Sequence, residues 1–246
     1  MTEERTGERI AKRMARAGLC SRREAERWIE AGRVKIDGKK VRTPATLVTS
    51  DTLIIVDGNP VPGAEKIRMW RYHKSKGLIC TSSDPEGRKT IFDDLPNHLP
   101  RVLIVGRLDF NSEGLLLLTN DGELARKIEL PATGWARRYR VRVHGAVDVK
   151  RLQGLSRGVT VDSVRYGPIK ATLNRTQGAN AWLTLTLKEG KNREVRRVLE
   201  SVGLTVNRLI RTSFGPFQNG QLEPGQVEEI PGKVIREQLG DADRRR

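Results

Sequence analysis

Cysteine is nearly absent from this 246-residue chain: the two residues present, Cys20 and Cys80, sit in no paired motif. Neither a disulfide framework nor a thiolate metal site is expected, and both thiols read as buried or incidental. The histidines His73, His98 and His144 are scattered, with no neighbours at metal-ligand spacing, which argues against a zinc centre. No apolar run approaches a membrane span, and Met1 to Arg5 hold no apolar core like that of a secretion signal, so a cytoplasmic chain with no membrane partner is expected. A Walker-type phosphate loop and a dinucleotide fingerprint are also missing, and no cofactor is expected. Acidic residues are outnumbered, 30 against 46 Lys and Arg, which leaves a formal charge of +16.

Such an excess of positive charge points to a polyanionic partner. A membrane surface would attract it too, but no basic amphipathic helix carries the bulky aromatic and leucine face that interfacial anchoring needs. Nucleic acid is therefore the expected partner. With 37% hydrophobic and 31% charged residues, the composition suits a globular protein and not a disordered one. The length allows one large domain or two ordinary ones.

The charge is unevenly spread. Residues 9–42 hold twelve Lys/Arg and four acids, whereas residues 43–65 hold no basic residue. Ile10, Met14 and Ala17 share a helical face that Gly18 ends. Ser21-Arg22-Arg23-Glu24 has the form of a capping box opening a second helix, which Gly32 closes. Arg33 to Gly38 alternates and turns like a hairpin strand. The turn-rich stretch Asp57 to Gly63 marks a boundary. Beyond it, strands are expected at Trp70–His73, Gly77–Thr81, Val102–Val105, Leu115–Thr119, Tyr139–Val143 and Ala181–Leu187, and helices at Asp121–Ile128, Val149–Gly154 and Asn192–Val202. They do not alternate as a parallel βαβ array would, so the expectation is an α+β chain: a small α/β module followed by a mixed, mainly antiparallel sheet flanked by helices.

Two constellations can carry chemistry. The start of the second helix offers free amide groups beside Arg22 and Arg23, an arrangement that binds phosphate, although a solvated charged face has the same sequence. Gly106-Arg107-Leu108-Asp109-Phe110-Asn111-Ser112-Glu113-Gly114 lies between two apolar runs, where a loop presents Arg107 and Asp109 to a cleft; an aspartate that caps a turn looks alike. Tyr139 shares a strand face with Val141 and Val143, as a packed core tyrosine would.

The segment from Arg9 to Asp57 resembles the S4 RNA-binding domain, through Gly18-Leu19-Cys20-Ser21-Arg22-Arg23-Glu24-Ala25 and Gly32-Arg33-Val34-Lys35-Ile36-Asp37-Gly38. Gly106-Arg107-Leu108-Asp109, followed by Gly114 to Gly122, resembles the catalytic motif of a group of bacterial ribosomal RNA pseudouridine synthases, made up of small-subunit synthase A with large-subunit synthases B, E and F. Arg138-Tyr139-Arg140-Val141, Glu189 to Arg197 and Arg208-Leu209-Ile210-Arg211 match further blocks of that family in the same order. Within the group, the subgroup of large-subunit synthase B is the most similar, through Asp84 to Arg88 and Leu155 to Val159. Ser75 and Lys89 stand where the family usually has proline, a departure that loosens loops and touches no reactive group.

The resemblance implies an S4-like domain over 7–66, a synthase domain over 67–235 and a disordered basic tail over 236–246. It implies isomerisation of a ribosomal RNA uridine to pseudouridine, in the large-subunit rRNA, by a monomer without metal or cofactor. Asp109 would act at the sugar–base linkage as nucleophile or base, kept ionised by Arg196; Tyr139 would stack on the uracil. Arg107 would hold the base outside its helix, and Leu209 would wall the pocket. Ser21, Arg22, Arg23, Arg33 and Lys35 would contact RNA. Two other classes fit parts of the same pattern: a noncatalytic S4-type protein of ribosome assembly, and a glycoside or nucleoside hydrolase using Asp109 and Glu113.

Overall fold

Apolar residues at helical spacing and short β-branched strands build the N-terminal module of the computed structural model, which describes residues 7–240. Its elements are β1 (Glu8–Arg9), α1 (Ile10–Arg16), α2 (Arg22–Glu30), β2 (Val34–Ile36), β3 (Lys39–Lys40), β4 (Leu47–Val48), β5 (Ile54–Val56) and β6 (Asn59–Pro60). The Glu24 amide donates to Ser21 Oγ at 3.1 Å, so the serine caps α2 as its sequence position predicts. Gly18 and Gly32 follow the two helices with φ of 78° and 71°, the left-handed turn that a helix end favours glycine for. Ile10, Met14, Ala25 and Ile29 pack with Val34, Ile54 and Val56 in a core of their own beneath the sheet β3-β2-β5-β6.

The larger unit comprises β7 (Met69–Lys74), β8 (Leu103–Val105), β9 (Ser112–Thr119), α3 (Gly122–Glu129), β10 (Arg137–His144), α4 (Val149–Gly154), β11 (Val159–Val161), β12 (Val164–Tyr166), β13 (Ile169–Gln177), β14 (Asn180–Leu187), α5 (Glu194–Ser201), β15 (Thr205–Phe214), β16 (Phe217–Gln218), β17 (Val227–Glu229) and α6 (Gly232–Leu239). The main sheet runs β13-β14-β10-β15-β9-β7-β17, with β16 on β15 and β8 on β9. Its pairs are antiparallel except β15 with β9, which is the mixed, mainly antiparallel sheet expected.

Burial explains the strand patterns. β9 is buried along its whole length because both faces are covered: Leu116 and Leu118 join the core under α4 and α5, while Leu115 and Leu117 join the one under α3 and α6. β10 alternates instead, with Tyr139, Val141 and Val143 buried and Arg138, Arg140 and Arg142 exposed. Each fully buried Leu or Val stabilises by roughly 1.5–3 kcal/mol, so one-residue slippage of β10 is strongly disfavoured.

Two expectations are corrected. Gly77–Thr81 is no strand: Leu78 and Cys80 point into the core, but a single bridge from Ile79 to Thr90 is its ladder. Residues 236–239, expected to open a disordered tail, belong to α6, which runs to Leu239 and buries Ile235 and Leu239 against α3 and β9; residues 241–246 of that expected tail lie outside the described residues. Among the described residues no helix is long and apolar enough to cross a membrane.

Candidate active site

The loop 106–112 is held from several sides before any ligand is considered. Gly106 takes φ 70°, and its amide donates to Glu129 Oε1 at 2.6 Å. The Ser112 amide closes a turn on the Asp109 carbonyl at 2.9 Å. Beneath it the fully buried Lys74 donates through Nζ to the carbonyls of Ser112 (2.9 Å), Ser75 (2.9 Å) and Asp109 (3.3 Å). Burial pulls the Lys74 ammonium below its ordinary value, while Cys80, Asp109 and Glu113 act against that fall. The turn after Lys74, at Ser75, is held by this ammonium and by the Gly77 amide on the Phe110 carbonyl at 2.9 Å.

Gly114 shows why the motif ends in glycine. A Cβ built there would lie 2.3 Å from the Arg211 carbonyl oxygen and 2.9 Å from its nitrogen, at φ 96°. Only glycine lets β9 run so close to β15, and that approach brings the Asp109 loop against Leu209 and Arg211.

Arg107, Asp109, Tyr139 and Leu209 line one cavity of about 370 Å³, so four of the residues singled out in the sequence meet although they lie on a loop and two strands. Tyr139 is largely buried and stands opposite Arg211 across the β10–β15 pairing, beside a register shift that turns the strand. Arg196 stands behind the loop. Its Nη2 donates to the Asn111 carbonyl at 3.0 Å and its Nη1 to the Val206 carbonyl at 3.2 Å. Burial and the neighbouring Arg193 pull its guanidinium below the ordinary value, and Asp109 opposes them. None of the ion pairs among the described residues joins it to Asp109; its two terminal nitrogens instead tie the loop carbonyl of Asn111 to the β15 carbonyl of Val206. Arg196 thus neighbours Asp109 electrostatically without the direct pairing expected of it.

Sequence reasoning missed several cavity residues. Arg137 lies half-buried over the Phe214 ring at 4.5 Å; burial lowers its guanidinium, and Tyr139 and Glu194 oppose this. Arg193 takes φ 51°, an uncommon left-handed conformation for arginine, at the start of α5. Ser112, Glu194 and Arg211 also face the cavity. The available signal for Arg211 was its place two residues after Leu209 on one strand, hence on the same face. Glu113 is held elsewhere: Arg208 grips it with Nε at 3.0 Å and Nη2 at 2.8 Å, which removes it from an acid/base pair with Asp109.

Of the RNA-contact candidates, Ser21 is engaged as the α2 cap, while Arg22, Arg23 and Lys35 are exposed. Arg33 is not a free cation. It bonds Asp57 through Nε and Nη2 and lies over the Trp28 ring at 4.7 Å.

A basic helical module joined to a mixed sheet, with a carboxylate, a tyrosine and several arginines around one cavity, defines a two-part enzyme built to act on nucleic acid. The family model for RNA pseudouridylate synthase matches residues 68–201, and the S4 domain model matches residues 8–54. The chain belongs to the RNA pseudouridylate synthase family and carries an S4 domain at its N-terminal end. It is 46% identical over 231 residues to an uncharacterised RNA pseudouridine synthase of Rickettsia prowazekii, covering 94% of this chain and 97% of that protein. It is 44% identical over 229 residues to ribosomal large subunit pseudouridine synthase B of Escherichia coli, covering 90% of this chain and 79% of that protein. A solved pseudouridylate synthase shares the fold, with a TM-score of 0.64 at 24% identity over 94% of this chain and 99% of that one.

Proposed function

We propose that this enzyme isomerises a uridine of large-subunit ribosomal RNA to pseudouridine with Asp109 as its catalytic carboxylate. The observation that carries the reading is the convergence of Arg107, Asp109, Tyr139 and Leu209 on one cavity in a chain of this family. A noncatalytic assembly protein has no need of that convergence.

The reaction exchanges a C1′–N1 bond for a C1′–C5 bond in the same nucleotide. Asp109 acts at the sugar, either taking C1′ as uracil leaves through N1 or withdrawing a sugar proton. The uracil then turns and C5 bonds to C1′. On the first route this breaks the Asp109–C1′ ester; on the second the withdrawn proton returns from Asp109 to the sugar. The C5 proton moves to N1 by way of solvent or a nearby base. No electrons enter or leave, so the chain supplies position and charge. Arg196 is a positioning residue, which anchors the loop carbonyl at Asn111 and adds positive potential near the carboxylate. Tyr139 stacks on the uracil, Arg107 at the exposed rim keeps the nucleotide out of its helix, and Leu209 forms the apolar wall. Arg22, Arg23 and Lys35 hold rRNA phosphates. The enzyme acts in the cytoplasm as a monomer.

The test is a deletion strain whose rRNA is scored by pseudouridine-specific modification and primer extension. One stop should vanish and return with the wild-type protein. Asp109→Asn should bind the rRNA as the wild type does and leave the stop missing; its return with that variant would refute the assignment.

A further inference from the structure

Buried polar atoms without partners are rare in folded proteins, since each costs about 1–3 kcal/mol. Here three of them, Ser112 Oγ, Glu194 Oε1 and Arg211 Nη2, belong to residues that line the same cavity. Their residues are 1%, 3% and 2% exposed, so bulk water does not satisfy them. Two of the side chains are aimed by a second bond. Glu194 Oε2 accepts from the Lys191 amide at 2.9 Å, and Arg211 Nε donates to the Leu115 carbonyl at 2.8 Å. Each is fixed by one atom and leaves another without a partner. The fold thus keeps a buried acceptor, a buried donor and a hydroxyl in the wall of a space large enough for a small planar ligand.

The chemistry of these atoms selects among the parts of a nucleotide. A phosphate would meet the carboxylates of Glu194 and Asp109. Uracil is neutral and offers carbonyl, N–H and carbonyl along one edge, which needs an acceptor flanked by donors. Cytosine carries a lone pair at N3 and would turn it toward the Glu194 oxygen.

We propose that Glu194 and Arg211 read the uracil edge, Glu194 accepting the N3–H and Arg211 donating to a ring carbonyl, with Ser112 as a further donor. This assignment rests on the isomerase reading and adds to it the residues that tell uridine from cytidine. A site built around a substrate N–H rejects an analogue lacking it far better than an apolar wall can, because its own polar groups are then left unpaired.

The experiment uses an rRNA hairpin around the uridine mapped in the deletion strain, and the same hairpin with cytidine there. Affinities are measured on an Asp109→Asn background, so that the RNA is not turned over. Glu194→Gln replaces the acceptor with an amide able to keep the Lys191 bond and turn a donor into the cavity. The uridine-over-cytidine affinity ratio should fall by about tenfold or more, the size of one lost hydrogen bond. A variant that merely loosened the loop would weaken both hairpins alike. An unchanged ratio in a Glu194→Gln protein that melts no lower than the wild type overturns the proposal. Should that variant not fold, a hairpin bearing N3-methyluridine replaces it: the Asp109→Asn protein should bind it about tenfold more weakly than uridine, and equal binding overturns the proposal. If wild-type enzyme restores no stop in the deletion strain, the isomerase reading has failed and takes this one with it; if it restores the stop but the ratio stays fixed, only the base-reading assignment fails.

Discussion

The cavity and the N-terminal basic face treat charge in opposite ways. On the module, Arg22, Arg23 and Lys35 project into solvent, where a cation acts through number and proximity to phosphate. In the cavity wall and beneath its loop, Glu194, Arg211 and Lys74 are nearly or fully buried, and each is tied to a named backbone group. Surface cations are therefore close to interchangeable, whereas each cavity charge depends on the geometry of the backbone that carries it. Loss of one module cation should weaken binding gradually; a shift in the cavity scaffold should end catalysis.

The largest effect should come from Gly114→Ala. The added methyl would overlap Arg211 backbone across the β9–β15 pairing at a φ that alanine resists, so a loss of about 3 kcal/mol or more is expected. Denaturant unfolding measures it, and a midpoint equal to the wild type would break the link between this close approach and the cavity. Next comes Arg196→Lys, which keeps the charge but reaches one of the two carbonyls at Asn111 and Val206. Its turnover should fall about a hundredfold, near 2.7 kcal/mol in the barrier, with RNA affinity within a factor of about two, because the surface contacts are intact. A loss of affinity that accounted for the whole effect would move Arg196 to the binding side of the comparison.

A smaller effect, of opposite sign, is expected of Glu194→Gln in the absence of RNA. Burial lifts the Glu194 carboxyl above its ordinary 4.5, and the Lys191 amide and nearby cations only partly offset this. The folded chain therefore holds that proton more tightly than the unfolded chain. The stability it contributes is full below about 4.5 and is lost as pH rises through the raised value. The glutamine variant should melt above the wild type at neutral pH, by about 1 kcal/mol, and this advantage should vanish in acid. Equal melting across the range would remove the idea that a functional carboxylate is kept in this cavity at a cost in stability.

How much of this was legible follows the same division. Alternation in β10 gave the buried side of Tyr139 directly, and the Ser21 cap and the glycine stops of the module are local features that a sequence displays. The loop bearing Asp109 was legible through its motif, and the motif lay where β9 begins. Lys74 was not: at a strand end it looks like any surface lysine, and only the packing of three carbonyls around it reveals otherwise. Glu194 and Arg211 stood inside matched blocks, but their partner-free atoms exist only once β15 lies beside β9 and α5 closes the cavity. A motif likewise cannot show that the Arg196 guanidinium, beside Asp109, also ties the carbonyls of Asn111 and Val206 together.

The finest test lies within the module, where Arg33 breaks the pattern of its neighbours. Its guanidinium is bonded to Asp57 and stacked on Trp28, and Asp57 holds its pKa up by hydrogen bonding. A cation already shared with a carboxylate releases fewer counterions from RNA than a solvated one. Each free phosphate contact contributes roughly 0.7–0.9 to the slope of log affinity against log salt. Arg22→Ala and Arg23→Ala should each reduce the slope by about that amount, while Arg33→Ala should change it by less than half as much. Asp57→Asn, which releases Arg33 while keeping the turn, should raise affinity slightly and steepen the slope. If Arg33→Ala instead matches Arg22→Ala, the pair with Asp57 opens on binding, and Arg33 belongs with the interchangeable surface cations after all.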